Sequence, residues 1–297
     1  MSLVRKLTAL VKDPPPAYVF ELSEAGISMA RIGAHAGITF RPLAPGVISV
    51  SPLRDNILIP DDLAAAVREL APVNGNRKRR DAALVLPDNC VRISVLDFDH
   101  FPSDAREQLS LVRFRMKKSV PFDVEEAAVS YWAQAAWDKR VDVVAVVTPL
   151  EIVARYEAPF RAAGLNPGLV TTSSLAALNL VQDGGVSVVA KLTGRVLSVM
   201  VLRDGVLKLV RCLELAHPEL AEVAGDLYPT FVFVEDTLGA KADRLLLCGF
   251  GAGFEEARRQ FEAGLGVAVE PVRSALGTPG EHDAGLMGYL KSVAAQG

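Results

Sequence analysis

Residues 186–213, VSVVAKLTGRVLSVMVLRDGVLKLVRCL, decide the fold of this chain. Three strands are predicted here, over 186–192, 196–202 and 206–213, because β-branched and aliphatic residues fill each run. Short turns separate the runs. The second turn contains Asp204-Gly205, a dipeptide that strongly favours a two-residue hairpin. The stretch is therefore predicted to be a three-stranded antiparallel meander.

Residues 18–43, YVFELSEAGISMARIGAHAGITFRPL, repeat this plan near the start of the chain. The predicted strands are 18–22, 27–32 and 38–43, and turns lie between them. Helices and further strands are predicted after each meander, so the two halves of the chain are expected to be related lobes. The duplication predicts a mixed α/β protein with two lobes.

The chain is expected to divide into three parts: residues 1–16, an N-terminal amphipathic segment; residues 17–182, the first lobe, with a small subdomain inserted at about 82–170; and residues 183–297, the second lobe. Gln182-Asp-Gly-Gly185 marks the boundary between lobes, since such residues favour a loop. Pro229 is expected to kink or divide a helix over 219–238. Asp283 is expected to cap a final helix. That helix either stays with the second lobe or crosses back to the first lobe.

Composition excludes several classes of protein. The 297 residues are 50% hydrophobic and 23% charged, with a net charge of -3, so bulk nucleic-acid binding is not expected. No window of about 19 residues lacks a charge, and no membrane span is predicted. The three cysteines are expected to be reduced and buried. We therefore expect a cytoplasmic protein whose membrane contact is at most peripheral.

Two basic segments each have more than one interpretation. In the first, apolar residues at helical spacing share one face: Leu3, Val4, Leu7, Leu10 and Val11. This face suits a membrane-surface anchor, but a terminal helix that is frayed or packed on a lobe is favoured. Residues 75–81, GNRKRRD, suggest nucleic-acid binding, although a solvated loop between two elements is the favoured interpretation.

A glycine-rich stretch and the histidines are the other candidates for chemistry. Gly249-Phe-Gly251-Ala-Gly253 follows a predicted strand and opens a helix, like a dinucleotide-binding loop. However, Phe254 stands where that loop needs its third glycine, so a tight turn or a loop under an adenosine ring is preferred. The histidines are scattered and predict no metal site. No nucleophile elbow or phosphate loop is present, and no catalytic residue is predicted.

The order of these segments resembles the PilM family, the actin-like component of type IV pilus assembly. The most specific part runs through residues 83–87 (ALVLP), 113–122 (RFRMKKSVPF) and 131–132 (YW), and the pattern continues through 143–147, 151–156 (EIVARY), 161–165 (RAAGL), 201–205 (VLRDG) and 246–252 (LLCGFGA). The resemblance implies an actin-like fold of the ASKHA type. Such a fold has duplicated βββαβα cores and, as in FtsA and PilM, an inserted α+β subdomain.

Both phosphate-binding turns depart from the pattern of such proteins. In actin-like and sugar-kinase-like proteins, the first turn of each meander holds nucleotide phosphate. The family usually carries Asp-x-Gly-Ser in the first turn, where this chain has residues 21–24, ELSE. Lys191 and Thr193 stand in place of the aspartate and glycine of the second turn, and Thr171 and Ser173 replace an acidic pair.

These replacements predict a vestigial nucleotide cleft. Magnesium on a triphosphate needs a carboxylate, directly or through water, and close approach of the backbone to phosphate needs glycine. We expect no ATP hydrolysis and no cofactor, with ATP and magnesium disfavoured. The cleft is predicted to contain Glu21, Ser23, Lys191, Thr193, Gly249, Gly251 and Gly253.

The resemblance also implies a function carried by surfaces. It implies a non-catalytic cytoplasmic scaffold at the inner face of the bacterial inner membrane, which binds the N-terminal tail of a PilN-like bitopic membrane protein. The resemblance leaves two questions open: whether the protein contacts pilus motor ATPases, and whether it forms oligomers. Two alternatives remain: a component of type II secretion like the cytoplasmic domain of GspL, and an ATP-binding actin-like ATPase or sugar kinase.

In the resembling proteins, the docking groove lies beside the inserted subdomain. Four residues of this chain are nominated for partner-peptide binding on that ground: Arg113, Arg115, Lys117 and Phe122. The alternative is a solvated helix face with a phenylalanine in the core.

Overall fold

The computed structural model describes residues 15–33, 37–73, 80–134, 140–182 and 184–295. Its strands, in chain order, are β1 (Tyr18–Leu22), β2 (Gly26–Arg31), β3 (Thr39–Pro42), β4 (Asp81–Leu86), β5 (Arg92–Phe98), β6 (Ala127–Ala133), β7 (Val141–Pro149), β8 (Asn166–Thr172), β9 (Val186–Thr193), β10 (Val196–Arg203), β11 (Val206–Glu214), β12 (Arg244–Cys248) and β13 (Ala268–Pro271). Its helices, in chain order, are α1 (Pro60–Leu70), α2 (Ala105–Met116), α3 (Leu150–Ala162), α4 (Ser173–Ala177), α5 (Leu220–Leu238), α6 (Phe254–Leu265) and α7 (Ala284–Ala294). The predicted N-terminal segment, up to residue 14, and most of the predicted basic loop lie outside the described residues.

Two five-stranded sheets of identical topology form the lobes. The first has the order β3-β2-β1-β4-β8 and the second the order β11-β10-β9-β12-β13. In each sheet an antiparallel meander is followed by two strands that pair in parallel. The predicted duplication of one strand plan is confirmed. It places β1 and β9, the first strands of the two meanders, at equivalent positions in the two lobes.

The inserted subdomain is shorter than the predicted residues 82–170. It contains α2 and a three-stranded antiparallel sheet of order β5-β7-β6. By contrast, β4 and β8 pair with each other in the sheet of the first lobe, and α3 contacts α1. The predicted limits were wrong because β4 and β8 are as apolar as the subdomain strands. Only their long-range pairing assigns them to the lobe.

One apolar core joins the two lobes and the subdomain. Phe20 from the first lobe, Val189 from the second and Val144 from the subdomain belong to the same buried cluster. The second lobe has a further core under α5 and α6, which includes Leu227, and the subdomain has a small one that includes Met116 of α2. Each large side chain buried in this way contributes about 1.5–3 kcal/mol. The shared core therefore fixes how the three parts are arranged.

Helix α5 is continuous, so Pro229 does not divide it as one prediction allowed. Pro229 lies on the exposed side of the helix, whereas Leu227, Thr230 and Val234 are buried. The missing N–H of proline removes one helical hydrogen bond, and the packed side holds the helix together across that turn. No helix in the described ranges is long and apolar enough to cross a membrane.

The final helix, α7, packs on the first lobe beside α4. Leu286 and Tyr289 share a buried cluster with Val19 of β1, and α7 contacts α4. The predicted cap was wrong. Asp283 precedes the helix, but its carboxylate accepts a hydrogen bond from the Gly280 N–H, 2.7 Å away, instead of one from the helix.

Two glycines allow this close contact. A Cβ atom at Gly288 would lie 2.0 Å from the carbonyl oxygen of Ala176, and one at Gly285 would lie 2.7 Å from the Cα of Ser173. Both neighbours are backbone atoms, which cannot move aside as a side chain end can. The helix backbones therefore approach as closely as they do only because these positions have no side chain.

We predict that Gly288→Ala lowers the free energy of unfolding by about 1–3 kcal/mol, the usual effect of overpacking a rigid contact. The measurement is chemical denaturation followed by circular dichroism. Gly264→Ala is the control, because Gly264 also lies in a helix, α6, and a Cβ there meets nothing within 4 Å. That change should stabilise by about 0.5–1 kcal/mol. Equal effects of the two substitutions would contradict the close packing of α7.

Candidate functional site

A buried ion pair connects the two lobes. The ammonium group of Lys191, on β9, lies 3.1 Å from the Asp88 carboxylate, and the two side chains are 4% and 2% exposed. Lys191 also donates a hydrogen bond to the Thr193 hydroxyl at 2.9 Å. Isolated charges are very costly to bury. The pair therefore exists only because each charge compensates the other.

Donors from both lobes surround the Asp88 carboxylate. Asp88 lies in the turn that follows β4, on the side of the first lobe. Its Oδ1 accepts a hydrogen bond from the Ser174 N–H at the start of α4, 2.7 Å away. Its Oδ2 accepts one from the Ser198 hydroxyl on β10, also at 2.7 Å, in addition to the bond from Lys191. The carboxylate is thus held by first-lobe and second-lobe groups at once.

Glu21, on β1, is a second buried carboxylate near this pair. It accepts a hydrogen bond from the Ser173 hydroxyl, and its Oε2 accepts one from the Leu286 N–H at 2.7 Å. The N–H of Leu286 belongs to the first turn of α7, where helix N–H groups lack helical acceptors. Glu21 therefore satisfies the start of α7, which is the role that sequence analysis gave to Asp283.

Burial and charge set the ionisation of this cluster. Burial raises the pKa of Glu21, and the nearby Lys191 only partly opposes this effect. Burial alone would lower the pKa of Lys191, but the carboxylates of Asp88 and Glu21 outweigh it and leave that pKa above its usual value. Lys191 is therefore a cation at neutral pH. It stands where the phosphate-binding turn of the resembling family has an aspartate.

The other residues predicted for the cleft have different environments. The Ser23 hydroxyl is used within its own turn, where it bonds to the carbonyl of Gly26 at 3.1 Å. Gly249 is buried with φ +81°, and a Cβ there would lie 2.0 Å from the Leu192 carbonyl oxygen, so packing requires this glycine. Gly251 and Gly253 are exposed in the turn before α6, and a Cβ on either meets nothing within 4 Å.

The cysteines near the ion pair are not activated. Burial raises the pKa of Cys212 and of Cys248 to about 12, and it raises the pKa of Cys90 further. A thiol of this kind is almost entirely protonated at neutral pH and is a poor nucleophile or ligand. Among the described residues, no three His, Cys, Asp or Glu side chains lie together as metal ligands.

The residues nominated for partner binding lie in the subdomain. Arg113 pairs with Glu125 at 2.7 Å, and Arg115 lies 3.5 Å from Asp97 and over the Phe98 ring. Lys117 is exposed at the end of α2, and Phe122 packs against the subdomain core. Arg113 and Arg115 therefore lie on α2 and Lys117 directly follows it, whereas Phe122 packs against the subdomain core. Their role in partner binding stays a prediction.

Polar contacts also tie the subdomain to the second lobe. Lys208 on β11 pairs with Asp142 on β7 at 2.5 Å. The side-chain amide of Gln134 both donates to the Leu207 carbonyl and accepts from the Leu207 N–H, each at 2.8 Å. Two hydrogen bonds to one backbone unit resemble the pairing of neighbouring strands. These contacts hold the subdomain to the second lobe, in addition to the apolar core that it shares with both lobes.

A cavity of about 450 Å3 lies where the subdomain meets both lobes. Trp132, on the edge strand β6, forms one wall, and among the described lining residues Lys291 of α7 carries the charge. Leucines from both lobes supply the apolar surface: Leu175, Leu178, Leu202 and Leu207. An edge strand offers unpaired backbone groups to an extended peptide. The cavity thus combines an apolar surface, one cation and a strand edge.

Sequence analysis missed Asp88, Ser198 and the Trp132 cavity. Asp88 lies in a short turn between two strands, β4 and β5. Its partner Lys191 lies 103 positions away in the chain, so no local pattern could connect them. One signal was present, because a single lysine interrupts an apolar strand, and buried lysines need an acidic partner.

Comparisons with known proteins show what this fold is similar to. No protein-family model matches the chain, and no curated protein sequence is similar to it. A solved structure, a PilM–PilN type IV pilus biogenesis complex, matches with a TM-score of 0.79 at 17% identity, covering 95% of this chain and 99% of that chain.

Two other solved structures match with lower scores. A Bacteroides thetaiotaomicron protein with an actin-like ATPase fold has a TM-score of 0.55 at 10% identity, covering 92% of this chain and 94% of that one. The cytoplasmic domain of EpsL, an inner membrane component of the type II secretion system of Vibrio cholerae, has a TM-score of 0.51 at 12% identity, covering 94% of each chain. The predicted actin-like fold class is confirmed.

We predict that Lys191→Met lowers the free energy of unfolding by roughly 3–5 kcal/mol, because it leaves the Asp88 charge buried without its cation. The double variant Lys191→Met/Asp88→Asn removes both charges and should recover a large part of this loss. Denaturant titrations of the wild type, both single variants and the double variant give the coupling energy. A loss below about 1 kcal/mol for Lys191→Met, the value of an exposed pair, would show that the pair is open to water.

Proposed function

We propose that the chain is a non-catalytic, actin-like scaffold of a type IV pilus inner-membrane assembly. In this proposal it lies in the cytoplasm at the inner face of the bacterial inner membrane and binds the N-terminal tail of a PilN-like membrane protein. The observation that carries the proposal is the similarity to the PilM–PilN complex, which extends over 95% of this chain.

The chemistry of the cleft supports the non-catalytic part of the proposal. A magnesium-bound triphosphate needs carboxylates turned toward it. Here the Asp88 carboxylate already accepts hydrogen bonds from Ser174, Ser198 and Lys191. The Glu21 carboxylate accepts hydrogen bonds from Ser173 and from the start of α7. Binding a nucleotide in the usual way would require these contacts to break, and the buried charges would lose their partners.

We predict no saturable binding of ATP and magnesium at concentrations up to about 100 μM, which corresponds to a binding free energy weaker than roughly -5.5 kcal/mol. Isothermal titration calorimetry with the full chain is the measurement, and phosphate release under the same conditions tests hydrolysis. Micromolar binding would show that a nucleotide can displace the contacts of Asp88 and Glu21, and it would favour the alternative function of an ATP-binding ATPase.

The Trp132 cavity is the best-supported place for the tail. It adjoins the subdomain, as the docking groove does in the resembling family, and its leucines offer apolar pockets. A short extended tail can add to the free edge of β6, with alternate side chains directed into the cavity. Lys291 would meet an acidic residue of the tail.

We predict that Trp132→Ala weakens binding of the tail by at least about tenfold, since truncated interface tryptophans are common hot spots. The measurement is fluorescence anisotropy with a labelled peptide from the N-terminal tail of a PilN-like protein of the same organism. Tyr228→Ala is the matched control, because Tyr228 is a 62% exposed aromatic residue on α5, a helix that contributes no residue to the lining of the cavity. It should leave affinity unchanged.

The outcome also separates the competing functions. If the tail binds and neither substitution matters, the cavity is not the docking site. If no pilus tail binds but a tail from a type II secretion partner does, the alternative suggested by the EpsL similarity is correct. If neither tail binds, the scaffold proposal itself fails.

A further inference from the structure

A second cavity, of about 390 Å3, lies between the subdomain and the second lobe. Strand β5 of the subdomain contributes Arg92 and Ser94 to its lining, and β11 of the second lobe contributes Arg211 and Leu213. Each of these strands is the edge strand of its sheet, and the two contact each other. This cavity shares no described lining residue with the Trp132 cavity, so it is a separate place for a ligand.

The two arginines of the lining have no carboxylate partner among the described residues. Arg92 is exposed, and its side chain makes no hydrogen bond within the described ranges. Arg211 is held from one side, because its Nη1 donates to the Asp226 carbonyl and to the Thr230 hydroxyl, each at 3.3 Å. Its Nε and Nη2 have no acceptor in the described part of the chain. Both guanidinium groups can therefore donate to a ligand.

Electrostatic effects place Arg92 beside the second lobe. Burial raises the pKa of Cys212, on β11, to about 12, and the charge of Arg92 is among those that oppose this rise. The Arg92 guanidinium therefore lies near β11, where Arg211 adjoins Cys212 in the strand. Two like charges at one cavity repel each other, and an anion between them would replace that repulsion by attraction.

The acidic residue in the described lining, Asp88, does not cancel this positive charge. Its side chain is 2% exposed, and the Lys191 ammonium group lies 3.1 Å from its carboxylate. Its oxygens also accept hydrogen bonds from Ser174 and Ser198. The charge of Asp88 is thus balanced inside the protein, and the lining keeps the charges of the two arginines.

We propose that this cavity binds a small phosphate-bearing molecule, whose phosphate group lies between Arg92 and Arg211. Guanidinium groups bind phosphate oxygens through pairs of parallel hydrogen bonds. The Ser94 hydroxyl supplies a further donor, and Ile93 and Leu213 offer apolar surface to the rest of the molecule. The volume is within the usual range for small-molecule sites. The proposal does not depend on the pilus function, because it rests on β5 and β11 alone.

Isothermal titration of the full chain with inorganic pyrophosphate, without magnesium, tests the site. We expect saturable binding with a dissociation constant of about 1 mM. Arg92→Gln should weaken it at least about tenfold, since it removes the paired charge-assisted hydrogen bonds. Thermal unfolding of this variant should match that of the wild type, because Arg92 makes no hydrogen bond or ion pair within the described ranges. Arg106→Gln is the control: it removes the same charge from an exposed position of α2, outside the described lining.

A conservative variant separates charge from geometry. Arg92→Lys keeps the charge but cannot form two parallel bonds, so its affinity should lie between those of the wild type and Arg92→Gln. Absence of saturable heat up to about 10 mM pyrophosphate, tenfold above the expected dissociation constant, would overturn the proposal. Unchanged affinity in Arg92→Gln would also overturn it, because the anion would then bind elsewhere. Equal weakening by Arg92→Gln and Arg106→Gln would do the same, since it would indicate diffuse attraction by the surface.

Discussion

The buried carboxylate of Asp88 is the constraint on which the rest of the molecule depends. An unpaired charge in such a place would cost several kcal/mol even after relaxation. The chain meets this demand with one cation and two neutral donors, and these groups come from both lobes. Any movement that opens the lobes would separate Asp88 from Lys191 and Ser198. The pair therefore acts against opening, in addition to the apolar core that crosses the same boundary.

The position of Glu21 extends this constraint to the end of the chain. Its carboxylate accepts from Ser173 beside α4 and from the first turn of α7. Gly285 and Gly288 let α7 approach α4 closely enough for that bond to form. Groups of the chain itself therefore satisfy the Glu21 carboxylate and fix the start of α7 on the first lobe.

Local patterns predicted the parts of the structure that local physics determines. Alternating aliphatic residues and Asp204-Gly205 were enough to predict the second meander, because strand and turn preferences are set within a few residues. The limits of the subdomain could not be found in this way, since the parallel pairing of β4 with β8 joins segments 85 positions apart, as at Asp81 and Asn166. The partner of Lys191 was missed for the same reason. Glu21 shows a further limit, because it caps a helix that begins more than 260 residues later.

The Trp132 cavity shows what this arrangement means for binding. Residues of the subdomain and of both lobes line it, and the Asp88–Lys191 and Lys208–Asp142 pairs hold these parts together. A peptide bound in the cavity therefore meets a surface that is already formed, and less conformational entropy is lost on binding than at a surface that must first assemble.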